Sequence, residues 1–186
     1  ADSAATSPTR RGRFVRQNLL CENMPPPPPN VETTFPDLPG ASIREKLTAH
    51  RENPACASCH ALMDPIGLGF ERFDAIGQLR TEEAPGLPVD DSGDVDGVVF
   101  HGARELGELL ASDARVPPCF VRQFYRFATG HLERMNEELM IDDLSDAFAG
   151  TGFRVKDLVL RVVTSSAFRD AGTPTQGKTT ATEEMP

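Results

Sequence analysis

Residues 55–60 read ACASCH, which sets two thiols two residues apart and an imidazole directly after the second. Cys56, Cys59 and His60 thereby match C-x-x-C-H, the pattern by which a c-type haem is attached. The spacing suits that chemistry: both sulfurs reach the vinyl-derived carbons along one porphyrin edge, and His60 falls beneath the iron as the proximal ligand. Two other chemistries use paired cysteines. Structural zinc takes four Cys or His ligands in paired groups, and neither Cys21 nor Cys119 has a near neighbour of that kind. A thioredoxin-like dithiol calls for a strand before the motif in a βαβ setting, whereas a helical pattern and Asn53-Pro54 precede it here. One covalently held haem c is the expectation, with zinc and dithiol chemistry as the alternatives.

The elements around the motif must position it. Ser42 followed three residues later by Glu45 is a capping-box pattern, and IREKLTAHRE continues from it with Ile43 and Leu47 on one face. Asn53-Pro54 should stop that helix just before the cysteines. After the motif, LGFERFDAIG spaces Phe70, Phe73 and Ile76 at about one helical turn, and Gly77 suits a stop, so a second helix is expected there. Residues 84–100, with PGLP and DDSGDVDG, read as loop. Helical patterns resume at about 103–111, 119–133, 138–149 and 155–168. The fold class is therefore mainly α, a cytochrome c-like helical haem domain with long loops.

Three segments follow from composition. Residues 1–40 form a basic and proline-rich extended arm, with one short helix at RGRFVRQNLL; Pro25 to Pro29 impose polyproline II or an extended spacer, a proline-recognition ligand being the alternative. Residues 41–170 form the haem c helical domain, and residues 171–186 form a polar flexible tail. With 186 residues, 39% hydrophobic and 25% charged, the chain has the composition of a globular protein. No run approaches the ~18 apolar residues that cross a bilayer, and ADSAATSPTRRGRF lacks the apolar stretch of a signal peptide. A net charge of −9 speaks against general nucleic-acid binding. The charge is uneven: Arg10, Arg11, Arg13 and Arg16 crowd the first twenty residues, whereas residues 81–115 hold nine acids against two arginines. Such a dipole is either a solvated surface or a means of steering onto a redox partner.

A sixth iron ligand is harder to place. Met63 is excluded, because it follows His60 by three residues on the same side of the ring. His50 at the end of the preceding helix is preferred, since the loop through Pro54 can return it to the distal face; His101, Met135, Met140 and an open position are the alternatives. Phe70, Phe73, Phe100, Phe120, Phe124, Phe127 and Leu132 are expected to form pocket wall and core. Arg80, Arg72 and Tyr125 are candidate donors to the haem propionates. SGDVDG has the look of a calcium loop, but Ala103 stands where a bidentate glutamate belongs, so a polar turn is preferred. Haem c is attached outside the cytoplasm, where disulfides persist. Cys21 and Cys119 are therefore expected to pair, closing a loop worth about 4 kcal/mol; two buried free thiols are the alternative.

The stretches SPTRRGRFVRQNLLCENMPPPPPNV and HRENPACASCHALMDPIGLGFERFDAIGQLR resemble the C-terminal region of the large cytochrome c proteins of planctomycetes and myxobacteria, where two domains of unknown function occur in tandem. FVRQFYRFATGHLER and FRVKDLVLRVVTSSAFR resemble the second of those domains, and the likeness runs over about residues 7–169. It implies a haem c module at the end of a longer polypeptide or complex, with no assigned reaction, and it includes a histidine at the place of His50. Gly130-His131 departs from it, since the family has Gly-Arg there.

The expected function is that of a monohaem c-type cytochrome domain or subunit, passing single electrons between extracytoplasmic, periplasmic redox partners. A haem enzyme with an open distal site, using His101 or His131 for proton transfer, is the alternative from another class. A non-redox assembly subunit in which haem stabilises the fold is the third.

Overall fold

Ser7 accepts a hydrogen bond from the amide of Arg10, and Pro8 supplies the fixed φ of a first helical residue, so α1 begins at once and runs Pro8–Asn18. The structure, a computed structural model, describes residues 6–26 and 38–169. After α1 come α2 (Ile43–His50), α3 (Pro54–Leu68), the strands β1 (Glu82–Ala84), β2 (Leu87–Pro88), β3 (Ser92–Val95) and β4 (Val98–His101), then α4 (Gly102–Ser112), α5 (Val116–Thr129), α6 (Glu138–Gly150), α7 (Val155–Thr164) and α8 (Ser166–Arg169). The mainly α class stands. The chain divides into two compact units between Phe120 and Val121, so the first turn of α5 belongs to one and the rest to the other.

In the first unit, α1 lies against α3. Two glycines permit the approach: a Cβ on Gly12 would come within 1.8 Å of the Met63 carbonyl oxygen, and one on Gly67 within 1.8 Å of the Pro8 carbonyl oxygen. Val15 and Leu20 thereby join Ile66, Val95, Phe100, Leu106 and Leu110 in a continuous apolar core. Arg16 is buried by the same packing; it donates to the Leu62 carbonyl and pairs with Glu22 and Asp96. Glu71, fully buried, is met by Thr6, Arg11 and Arg80, and its carboxyl is nonetheless held above the usual range, chiefly by burial. Cys21 and Cys119 form a disulfide within this unit, their Cα atoms 5.4 Å apart, as expected.

Several expectations need correction. The helix expected at LGFERFDAIG is absent: α3 ends at Leu68, and residues 70–79 form tight turns closed by a bridge between Phe73 and Leu79. The Asp74 side chain accepts from the amides of Ile76 and Gln78, and Gly77 takes φ +86°. That local bonding satisfies the backbone in a way a helix would not allow. Residues 84–100 are not plain loop but two hairpins, β1–β2 and β3–β4. Asp96-Gly97, both at positive φ, make the two-residue turn of the second. Its acids are engaged: Asp94 accepts from the amide of Gly97, and Asp96 pairs with Arg16 and Arg115. Within residues 1–40 the short helix expected at RGRFVRQNLL is part of α1, and Leu20 and Met24 are buried; residues 41–169 extend over both units. Pro27 to Pro29 and the tail at 171–186 lie outside the described residues.

The second unit packs Val121, Tyr125, Ile141, Leu144, Phe148, Leu158 and Val162 into its own core. Arg122 and Arg126 both pair with Glu133, and Arg122 also with Glu138. Of the aromatic and aliphatic residues expected as core, Phe100 is buried and Phe70 and Phe124 are partly so. Phe127 (84% exposed) and Leu132 (71%) face solvent, since α5 ends at Thr129 and the polar face of its last turns carries Phe127 outward.

Candidate functional site

The motif residues occupy the first turns of α3. Both signals read as helix boundaries operate, but back to back. The Ser42–Glu45 capping box opens α2, which closes at His50; Asn53 then caps α3 by accepting from the Ala55 amide at 3.0 Å, with Pro54 as its first residue. C-x-x-C-H is therefore wholly helical. Cys56, Cys59 and His60 stand at i, i+3 and i+4 and share one face of α3. Cys56 is buried and Cys59 half-buried, and both are free thiols.

His60 is held from one side. Its Nδ1 lies 3.1 Å from each carboxylate oxygen of Asp64, one helical turn on. With the proton on Nδ1 the bond is made, and the Nε2 lone pair is left for a ligand bond. Asp64 is fully buried and accepts a second hydrogen bond, at 2.8 Å, from the Thr9 hydroxyl of α1. Burial raises the Asp64 carboxyl above its ordinary range, opposed by the Thr9 bond and by His60. Asp64 was not singled out by sequence. The available signal was its i+4 spacing from His60, within a helix that also contains Pro65 and Gly67.

His50, the preferred distal residue, is brought beside the motif. Its ring centroid lies 4.6 Å from that of His60, with the planes at 65°. Partial burial lowers the His50 pKa first, the neighbouring His60 adds to this, and Asp64 works against it. The neutral imidazole so favoured is the form that binds metal. The other expected residues are placed elsewhere. His101 precedes the first residue of α4, its amide donating to Glu105, and lines a cavity of about 360 Å³ with Arg72, Phe73 and Asp91. Met135 and Met140 belong to the second unit, where Met135 is 95% exposed. Among the proposed propionate donors, Arg80 is engaged by Glu71 and Arg72 by Asp91. Tyr125 sits in the second unit's core, its hydroxyl pushed up to about 12 by burial, and His131 lies edge-on to it at 6.0 Å.

The donor set fits a haem c. Two free thiols at the attachment spacing share a helix face with an imidazole whose Nδ1 is already anchored, and the second imidazole, 4.6 Å away, would have to draw back to admit an iron between the two rings. A larger cavity of about 550 Å³, lined by Arg11, Phe14, Val15, Leu19, Phe70 and Phe73, is not formed by these residues. Among the described residues, no group of three or more His, Cys, Asp or Glu side chains converges to hold a metal ion, as a four-ligand zinc site requires. None of the helices described is long and apolar enough to cross a membrane.

Two family models match the chain in tandem: a protein of unknown function (DUF1588) over residues 1–83 and a second protein of unknown function (DUF1585) over residues 96–168. The first match carries the whole motif with His50, Asp64 and Thr9. The second spans β4 through most of α8. Neither the curated proteins nor the solved structures contain a match to this chain.

Proposed function

We propose that this chain is a monohaem c-type cytochrome domain, with Cys56 and Cys59 as thioether attachment points, His60 as proximal ligand and His50 as distal ligand. Bound there, the haem supplies one-electron redox chemistry at its iron. The observation that carries the reading is the state of His60: Nδ1 tied to a buried carboxylate, Nε2 open, and two free thiols at the attachment spacing on the same helix face. A carboxylate on the far nitrogen is the usual companion of a metal-bound histidine. Asp64 fixes the ring plane, and α2 delivers His50 to the same place.

With one C-x-x-C-H motif the chain holds one haem, so its electrons come from and go to other redox proteins, within a larger complex or polypeptide. The tandem of two domains of unknown function supports its being the C-terminal region of a large cytochrome c protein. The Cys21–Cys119 disulfide supports an extracytoplasmic, periplasmic site of action.

Export of the chain in a host that matures cytochromes c tests the proposal. Intact mass should exceed the polypeptide by one haem, the haem should resist acid extraction, and Cys56→Ala with Cys59→Ala should abolish both. A colourless wild-type protein at the bare polypeptide mass would refute it. A haemoprotein whose ferric iron rapidly binds cyanide or peroxide would turn the reading from electron transfer to catalysis.

A further inference from the structure

We propose that Asp64 is a positioning residue that lowers the reduction potential through His60, and that Thr9 of α1 tempers it, so that the N-terminal helix sets the poise of the iron. The inference rests on the haem reading above. Both Asp64 oxygens lie at 3.1 Å from one nitrogen of His60, so the carboxylate straddles the N–H and the ring cannot rotate without losing it. A hydrogen bond to an anion draws the Nδ1 proton away and makes Nε2 a stronger donor. A stronger donor favours ferric over ferrous iron, because the oxidised centre carries the extra positive charge.

Thr9 acts against this on the same carboxylate. Its hydroxyl donates to Oδ1 at 2.8 Å and takes up part of the negative charge that would otherwise fall on the imidazole. Asp64 is fully buried, so neither interaction is diluted by water. The contact exists because Gly12 and Gly67 let α1 and α3 touch at the backbone. A helix that sequence alone assigns to an arm thus reaches the iron ligand through two hydrogen bonds, Thr9 to Asp64 and Asp64 to His60.

The two residues carry opposite signs, which separates this role from a merely structural one. Asp64→Asn keeps an acceptor for Nδ1 but removes the charge. At a fixed ambient potential the ferrous-to-ferric ratio should rise at least tenfold, about 59 mV upward for a one-electron couple. Thr9→Val removes the hydroxyl at nearly constant volume; the ratio should fall by a few-fold, a downward shift. Midpoint potentials of the exported holoprotein, by spectroelectrochemistry, read both. Potentials of both variants within twofold of wild type in that ratio, or shifts of the same sign, would overturn the inference while leaving the haem reading intact. If Asp64→Asn does not fold, the sign of the Thr9→Val shift decides alone. A wild-type chain that takes up no haem would overturn both readings, and the intact mass identifies that case before any potential is measured.

Discussion

Replacing Gly67 by alanine puts a single methyl group where two backbones touch. The new Cβ would sit 1.8 Å from the Pro8 carbonyl oxygen and 2.4 Å from its carbon, whereas ordinary contact starts at 3.4 Å, so α1 must move by more than an ångström at its N-terminal end. The neighbour is backbone, not a flexible side-chain tip, and cannot swing aside. Overpacking of this kind costs about 1–3 kcal/mol. The displaced end of α1 also carries Thr9, whose 2.8 Å bond to buried Asp64 would stretch at a cost of about 1 kcal/mol. Against these, alanine in mid-helix gains about 1 kcal/mol over glycine. The sum is a loss of about 1–3 kcal/mol, or a fall in melting temperature on the order of 10 °C for a unit of this size. Gly107→Ala in α4 is the control, because nothing lies within 4 Å of its added Cβ and the propensity gain should appear unopposed as a small rise. Thermal unfolding followed by circular dichroism reads both. Equal stability of Gly67→Ala and wild type would refute the close α1–α3 approach on which the Thr9 contact depends.

Other outcomes follow from the disulfide, the ion pairs and the histidine pair. Cys119→Ser opens a loop of sequence separation 98 and should cost roughly 4–5 kcal/mol on the chain-entropy model, read as a lowered denaturant midpoint that reductant reproduces in the parent. In the second unit, the hydrogen bond from Arg126, joined by Arg122 and opposed by burial, holds Glu133 down at about 2, below its ordinary 4.5. A depressed carboxyl contributes stability that is full above pH 4.5 and is lost as pH falls toward 2. Glu133→Gln should flatten that part of the acid unfolding curve and lower stability at neutral pH by about 1–2 kcal/mol; an unchanged acid limb would refute the assignment. His50→Ala should convert a six-coordinate low-spin ferric spectrum to high-spin or water-bound, and an unchanged low-spin spectrum would remove His50 from the iron.

The capping box at Ser42 and the Asn53-Pro54 boundary were legible because each is a short-range rule with one physical cause, orphan amides in the first and a missing N–H in the second; the Cys21–Cys119 pair, 98 residues apart, was legible only as the two cysteines that the motif leaves over. The turns at 70–79 were not, because Phe70, Phe73 and Ile76 repeat at helical spacing while the side chain of Asp74 offers the backbone a competing set of bonds. Periodicity was right about which residues are apolar and wrong about what they do. Of the candidate site, the shared helix face of Cys56, Cys59 and His60 follows from their spacing, and the nearness of His50 from the short α2–α3 connection. Asp64 and Thr9 could not be read in advance. One is hidden by the glycines and proline around it, and the other acts only through a helix–helix contact 55 residues away in sequence.

Four cysteines sharing one unit pose a sorting problem during biogenesis. They allow three fully paired connectivities, yet the folded chain joins Cys21 to Cys119 and keeps Cys56 and Cys59 reduced. Cys21 emerges from the ribosome long before its mate, and Cys56 and Cys59 of α3 emerge in between. An oxidase acting as the chain appears would link the wrong neighbours first. Under the export proposed above, reaching this pairing requires that Cys56 and Cys59 be shielded, capped or re-reduced until Cys119 arrives.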